Sequence, residues 1–129
     1  MLAFTGPFLL GITTATLTLA CTNVGSWTVN PIIVITGPTS DWTLTNTTSG
    51  DVLSWDGYDI ANGEVVTIDI PNMTCTNGAG TDLLTYLTGD IGAFSLDVGV
   101  NSLDFWSSGD VVDLTTTIQV CWYVELLGL

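Results

Sequence analysis

Period-two alternation of apolar and polar positions dominates this chain. From Thr13 to Thr22, Ala15, Leu17, Leu19 and Cys21 fall on one side, and Thr14, Thr16, Thr18 and Thr22 on the other, the pattern of a strand with one buried face. Trp42, Leu44 and Asn46 alternate with Thr43, Thr45 and Thr47 in the same way. So do Val66, Ile68 and Ile70 with Val65, Thr67 and Asp69 within Glu64–Ile70. A last strand is predicted over Thr116–Glu125, with Ile118, Val120, Trp122 and Val124 on one face and Gln119, Cys121 and Tyr123 on the other. Shorter strands are predicted at Val52–Trp55, Met73–Thr76, Phe94–Leu96 and Ser102–Trp106, the last carrying Leu103 and Phe105 inward. Within Trp27–Thr36 the run Ile32 to Ile35 does not alternate, which predicts a strand covered on both faces with Pro31 near its start.

Between these segments stand breakers: Gly37-Pro38, Ser49-Gly50-Asp51, Asp56-Gly57, Asn62-Gly63 and Asn77-Gly78. Asn62-Gly63 suits the positive φ angles of a type I′ turn and predicts a tight hairpin into Glu64–Ile70. Asp82–Leu87 is the one segment that admits a helical turn. Many short strands at regular spacing, with no repeat and no linker, predict an all-β fold: one antiparallel β-sandwich or jelly roll over residues 1–129. The start, MLAFTGPFLLGITTATLTLAC, lacks a cationic n-region and is interrupted by threonines. It is read as strand, with no signal peptide.

Composition narrows the chemistry. The 129 residues include no Lys, Arg or His and 13 acids, a formal charge of −13. Without imidazole, amine or guanidinium side chains there is no Ser-His-Asp or Cys-His nucleophile, no Schiff-base lysine, no His-ligated metal and no arginine clamp. Nucleic acid is a poor partner, because affinity for phosphates comes from cationic contacts, and an anionic membrane surface is disfavoured on the same ground. Charged residues are only 10% of the chain, so its solvated surface is built largely from Thr, Ser, Asn and Gly. Trypsin has no site in it. Cys21, Cys75 and Cys121 are an odd number. Buried free thiols are the expectation, with a Cys21–Cys121 bridge left open should the first and last strands be neighbours. A catalytic thiol is not expected, because nothing cationic lowers its pKa.

The order of motifs resembles the C-terminal domain of the siphophage distal tail protein family of phage tail components. The matching points are the ITGP strand end at Ile35–Pro38, TNTTSGDVL at Thr45–Leu53, GEVVTID at Gly63–Asp69, the F-x-L and G-x-N pair over Phe94–Asn101, and the closing strand that ends WYVELLGL. The likeness spans roughly residues 8 to 129. It implies a galectin-like sandwich peripheral to the tail tip of a virion: a structural module for assembly or host adhesion, with other tail proteins as partners and a homo-oligomeric ring in the particle. It also implies that the ring-forming belt domain found ahead of this module in the family is missing from this chain. Where relatives commonly carry a basic stretch after Ile70, this chain has PNMTCTNGAG.

Three candidate chemistries are weighed on the residues. Asp56, Asp59, Asn62 and Glu64 could gather oxygen ligands for Ca²⁺, but their order is not that of an EF-hand loop and Gly63-Glu64 already serves a turn. Paired carboxylates could hydrolyse glycosides, yet no spacing singles out a pair, so no catalytic residue, metal or cofactor is expected. Carbohydrate binding is the rival to a purely structural role, because an exposed aromatic offers a sugar a stacking platform. Trp42, Trp55, Tyr58 and Trp106 are the candidate interaction surface, with packing or subunit contact favoured over sugar, while Trp27 and Trp122 are read as core. True galectins bind sugar through His and Arg, and this chain has neither.

Overall fold

The structure, a computed structural model, describes residues 2–9, 16–107 and 116–124, with the backbone alone for 2–9 and 16. Ten strands follow one another: β1 (Leu2–Leu9), β2 (Thr16–Asn23), β3 (Ile32–Thr36), β4 (Trp42–Asn46), β5 (Val52–Trp55), β6 (Val65–Asp69), β7 (Thr74–Asn77), β8 (Leu87–Gly89), β9 (Gly99–Ser107) and β10 (Thr117–Val124). They form two five-stranded antiparallel sheets, β1-β10-β3-β6-β7 and β2-β9-β4-β5-β8. The fold is the all-β sandwich that the alternation predicts.

Cross-strand registry explains why the pattern works. In the first sheet Val120, Ile33, Ile68 and Cys75 are direct partners across four strands, and all four are buried. In the second, Phe105 pairs with Leu44 and Leu44 with Leu53, again all buried. These rows face each other, so each alternating strand places every second side chain in one shared core. The threonines at the intervening positions face outward, their branched Cβ suiting a pleat and their hydroxyl suiting water.

Several expectations need correction. The Asn62-Gly63 turn exists, with the Glu64 N–H donating to the Ala61 carbonyl at 3.0 Å, but it closes no hairpin. The strands on either side of it, β5 and β6, lie in different sheets. Only Gly63 has positive φ (79°), where a type I′ turn needs it at both central residues. The turn hands the chain from one layer to the other. At the second Asn-Gly, positive φ falls on Gly80 rather than Gly78, and the Asn77 side chain closes the loop by accepting the N–H groups of Ala79 and Thr81. The strand predicted over Trp27–Thr36 begins at Ile32 and is covered on one face: Ile33 and Ile35 are buried, Ile32 and Val34 half-buried. A β-branched run therefore does not require two covered faces. β1 falls within the start of the chain that is read as strand; residues 13–15, Glu125 and the loop before β10 lie outside the described residues. The helical turn is present as a 3-10 turn over Leu84–Tyr86.

All three cysteines are free: Cys21 is buried in the core from the second sheet, whereas Cys121 sits at an outward position of β10 in the first. Burial pushes the Cys21 thiol up to about 11, and burial together with the charge of Asp82 pushes Cys75 up to about 12. Cys121 is only half-buried. A thiol reagent on the folded protein at about pH 8 is expected to modify Cys121, and Cys21 and Cys75 only after denaturant is added. Mass spectrometry of the labelled peptides checks this, and labelling of all three at one rate would contradict the packing.

Candidate functional site

Antiparallel registry fixes two ends of the sandwich. One end carries the loops 37–41, 56–64 and 78–86, the other the loops 24–31, 47–51, 70–73 and 90–98. The sequence-derived aromatic candidates gather at the first end, and the structure separates them. Trp42 and Trp55 are 0% and 1% exposed, so of the readings weighed for them they take the packing one and lie in the core, not on an interaction surface. Their rings stack with centroids 5.7 Å apart and planes 9° from parallel, and Trp42 also meets Phe105 at 5.8 Å. The physical reason was present in the alternation: Trp42 shares its face with Leu44, and that face is inward.

From this stack the aromatics step outward. Trp55 contacts Tyr58 edge-on at 6.0 Å and Tyr86 at 6.0 Å, while Tyr58 and Tyr86 lie 5.1 Å apart. The Trp55 indole N–H donates to the Tyr58 carbonyl at 2.7 Å, and the Tyr58 hydroxyl donates to Glu64 Oε2 at 2.7 Å. Glu64 also accepts the Ala61 N–H at 2.9 Å and the Asn77 side-chain amide at 3.0 Å. One carboxylate thus ties the inter-sheet turn to β7 and to the aromatic cluster.

That commitment removes Glu64 from the acidic group considered for Ca²⁺. Asp56 and Asp59 are exposed beside it, and among the described residues no group of three or more Cys, Asp or Glu side chains gathers as a metal site. Partial burial would raise the Glu64 carboxyl, but the donated bonds from Ala61, Tyr58 and Asn77 outweigh it and hold the group below the usual carboxylate range. The same Glu64 bond pushes the Tyr58 hydroxyl up. A lowered folded pKa stabilises the protein above the ordinary carboxylate value, near pH ~4.3, and that stability is lost as pH falls through the folded value. Glu64→Gln is therefore expected to be less stable than the natural protein at about pH 6, with the gap narrowing below about pH 4. Thermal melts over that range check it, and a gap of constant size would contradict it.

Trp106 is the one candidate indole on the surface, 50% exposed on the outer face of the second sheet. Its backbone partners are Thr16 and Thr43, and Asp104, two residues along the same face, accepts the Thr18 hydroxyl at 2.9 Å. The outcome is a threonine-rich face with the Trp106 indole on it.

Trp27, assigned to the core from sequence, is instead 51% exposed. Gly25 and Ser26 before it and Asn30-Pro31 after it mark a loop, and that signal outweighs the apolar run that follows. Sequence reading also missed its exposed companions at the second end: Val24 at 56%, Met73 at 54%, Val98 at 55% and Val100 at 64%. A buried asparagine organises this loop: Asn23 Nδ2 donates to the Trp27 carbonyl at 2.8 Å and the Leu96 carbonyl at 3.2 Å, and its Oδ1 accepts the Gly25 N–H at 3.0 Å.

Among the described residues no helix is long and apolar enough to cross a membrane. A family model described as the siphovirus-type tail component, C-terminal domain, matches residues 24–121, from the loop after β2 into β10. No curated protein and no solved structure matches the chain.

Proposed function

The chain belongs to the siphovirus-type tail component family, through its C-terminal domain, and from that membership we propose a peripheral, non-enzymatic module of the distal tail that acts by contact. The family match over 24–121 carries this reading. The surface supports it: a rigid two-sheet body, a threonine-rich exterior, and no cationic side chain to activate a nucleophile or hold a phosphate. Its work is assembly onto other tail proteins or adhesion to the host, and its copies follow the ring symmetry of the tail. Gold-labelled antibody against this chain is expected to decorate the tail tip of intact particles. Label confined to the capsid, or absent from purified virions, would refute the reading.

A second reading is carbohydrate binding, favoured by one observation, the half-exposed indole of Trp106 on a face lined with Thr and Ser hydroxyls. Sugars stack on such rings and hydrogen-bond at their rims. Binding on a glycan array that Trp106→Ala abolishes would favour it; an array without a specific signal would remove it.

A further inference from the structure

The exposed apolar side chains are not scattered. Of the eight large hydrophobics that stand exposed among the described residues, Val24, Trp27, Met73, Val98 and Val100 lie at the end of the sandwich opposite the tyrosine and Glu64 cluster. Registry brings the central ones together. Thr22 pairs with Val100 and Asn23 with Gly99, which puts Val24 and Val98 just beyond that last pair, at the end of β2 and the start of β9, while Asn23 holds the Trp27 carbonyl. Met73, between β6 and β7 at the other edge of the sandwich, stands apart from them and packs on Gly92, where an added Cβ would meet its sulfur at 3.2 Å. The loop that carries Val24 and Trp27 is preorganised by the Asn23 hydrogen bonds, the condition under which an exposed aromatic anchor binds with little ordering cost.

Charge selects the occupant. Asp97 adjoins Val98 directly, Asp51, Asp69 and Asp90 stand at the same end of the sandwich towards β7 and β8, and no cationic side chain exists in the chain to neutralise any of them. Ser49, Ser95, Asn72 and the Val52 N–H donate to three of these carboxylates, which fixes their positions and leaves their charge in place. A second copy would set acid against acid with no counter-charge between them. A neutral or acidic protein would gain the apolar contact and lose hydration of the rim. Only a basic surface gains on both counts.

Resting on the tail-component reading, we propose that this end of the sandwich, centred on Trp27, Val24 and Val98, is the docking surface for a different tail protein that presents apolar residues ringed by Lys and Arg. The test uses tails assembled without this chain, to which purified chain is added back and its association measured. Trp27→Ser and, separately, Val98→Thr are each expected to weaken association about tenfold or more. Trp106→Ser, at the opposite end, is expected to leave it unchanged, and raised salt to weaken it. A photo-crosslinking residue at position 27 is expected to capture a Lys- or Arg-bearing peptide of another tail protein. Association unaffected by both substitutions at this end, crosslinks solely to a second copy of this chain, or sedimentation with phosphatidylcholine vesicles that Trp27→Ser abolishes would each overturn the proposal while leaving the tail assignment intact. Failure of the natural chain to associate with such tails at all would overturn the tail assignment as well.

Discussion

Trp42→Ala is expected to destabilise the protein by about 3–5 kcal/mol, the range for deleting a large aromatic from a closed core. Trp42 is fully buried, stacked on Trp55 at 5.7 Å and in contact with Phe105 at 5.8 Å, so its removal strips one face from each neighbour. Neighbouring backbone is held by the β4 registry, Leu44 on Phe105 and Leu53, and cannot collapse into the space. Trp42→Phe is expected to cost much less, for a reason beyond volume. The Trp42 indole N–H is buried with no hydrogen-bond partner among the described residues, a penalty that phenylalanine does not carry. Urea unfolding followed by far-ultraviolet circular dichroism measures both variants. Surface substitutions away from special features cost within about 0.5 kcal/mol, so a loss that small for Trp42→Ala would return this tryptophan to the exterior and undo the assignment of the stack to the core.

The same residue shows what was legible in the sequence. Trp42, Leu44 and Asn46 alternate with threonines, and the structure buries all three of them. The face was therefore readable from period two, and keeping Trp42 among the candidates for an interaction surface went against the strand's own pattern. Trp55 repeats the lesson, because Leu53 and Trp55 are the buried positions of β5. The assignment of strands to sheets was not readable in this way. Asn62-Gly63 is a turn by local chemistry, but whether a turn closes a hairpin or changes layer depends on which strands its flanks meet, and here they meet β3 and β4 on opposite sides of the core. The apolar end was hidden for a related reason. Val24 and Val98 are exposed because the chain turns where they lie, held there by the buried asparagines, while Val100 stands on the outer face of β9 opposite Thr22.

Those asparagines supply the second large effect. Asn101→Ala is expected to cost about 2–4 kcal/mol, more than its side-chain volume would suggest. Asn101 is fully buried on the inner face of β9, where an apolar residue is the rule. Its amide nitrogen lies 2.8 Å from the Asp97 carbonyl, 3.1 Å from that of Gly99 and 3.3 Å from that of Cys21. Its oxygen accepts the Asp97 N–H at 2.9 Å and the Asn46 amide at 3.2 Å. Asn46 in turn donates to the Ser95 carbonyl at 2.8 Å, so one chain of amides closes the 95–99 segment against β4 and β2. Truncation leaves several backbone groups desolvated and unpaired, each worth roughly 1–3 kcal/mol before neighbours readjust. Asn101→Leu separates this from packing: it restores volume but no hydrogen bond, and is expected to lose nearly as much as alanine. Both variants are further expected to speed hydrogen exchange at Asp97 and Val98 beyond what global unfolding explains, because the segment carrying the apolar end loses its anchor. Denaturant titration with amide exchange measures the two effects together. An Asn101→Leu protein as stable as the natural one would mean that the polar network is dispensable, and that packing of Leu96, Leu103 and Phe94 alone positions Val98 at the surface.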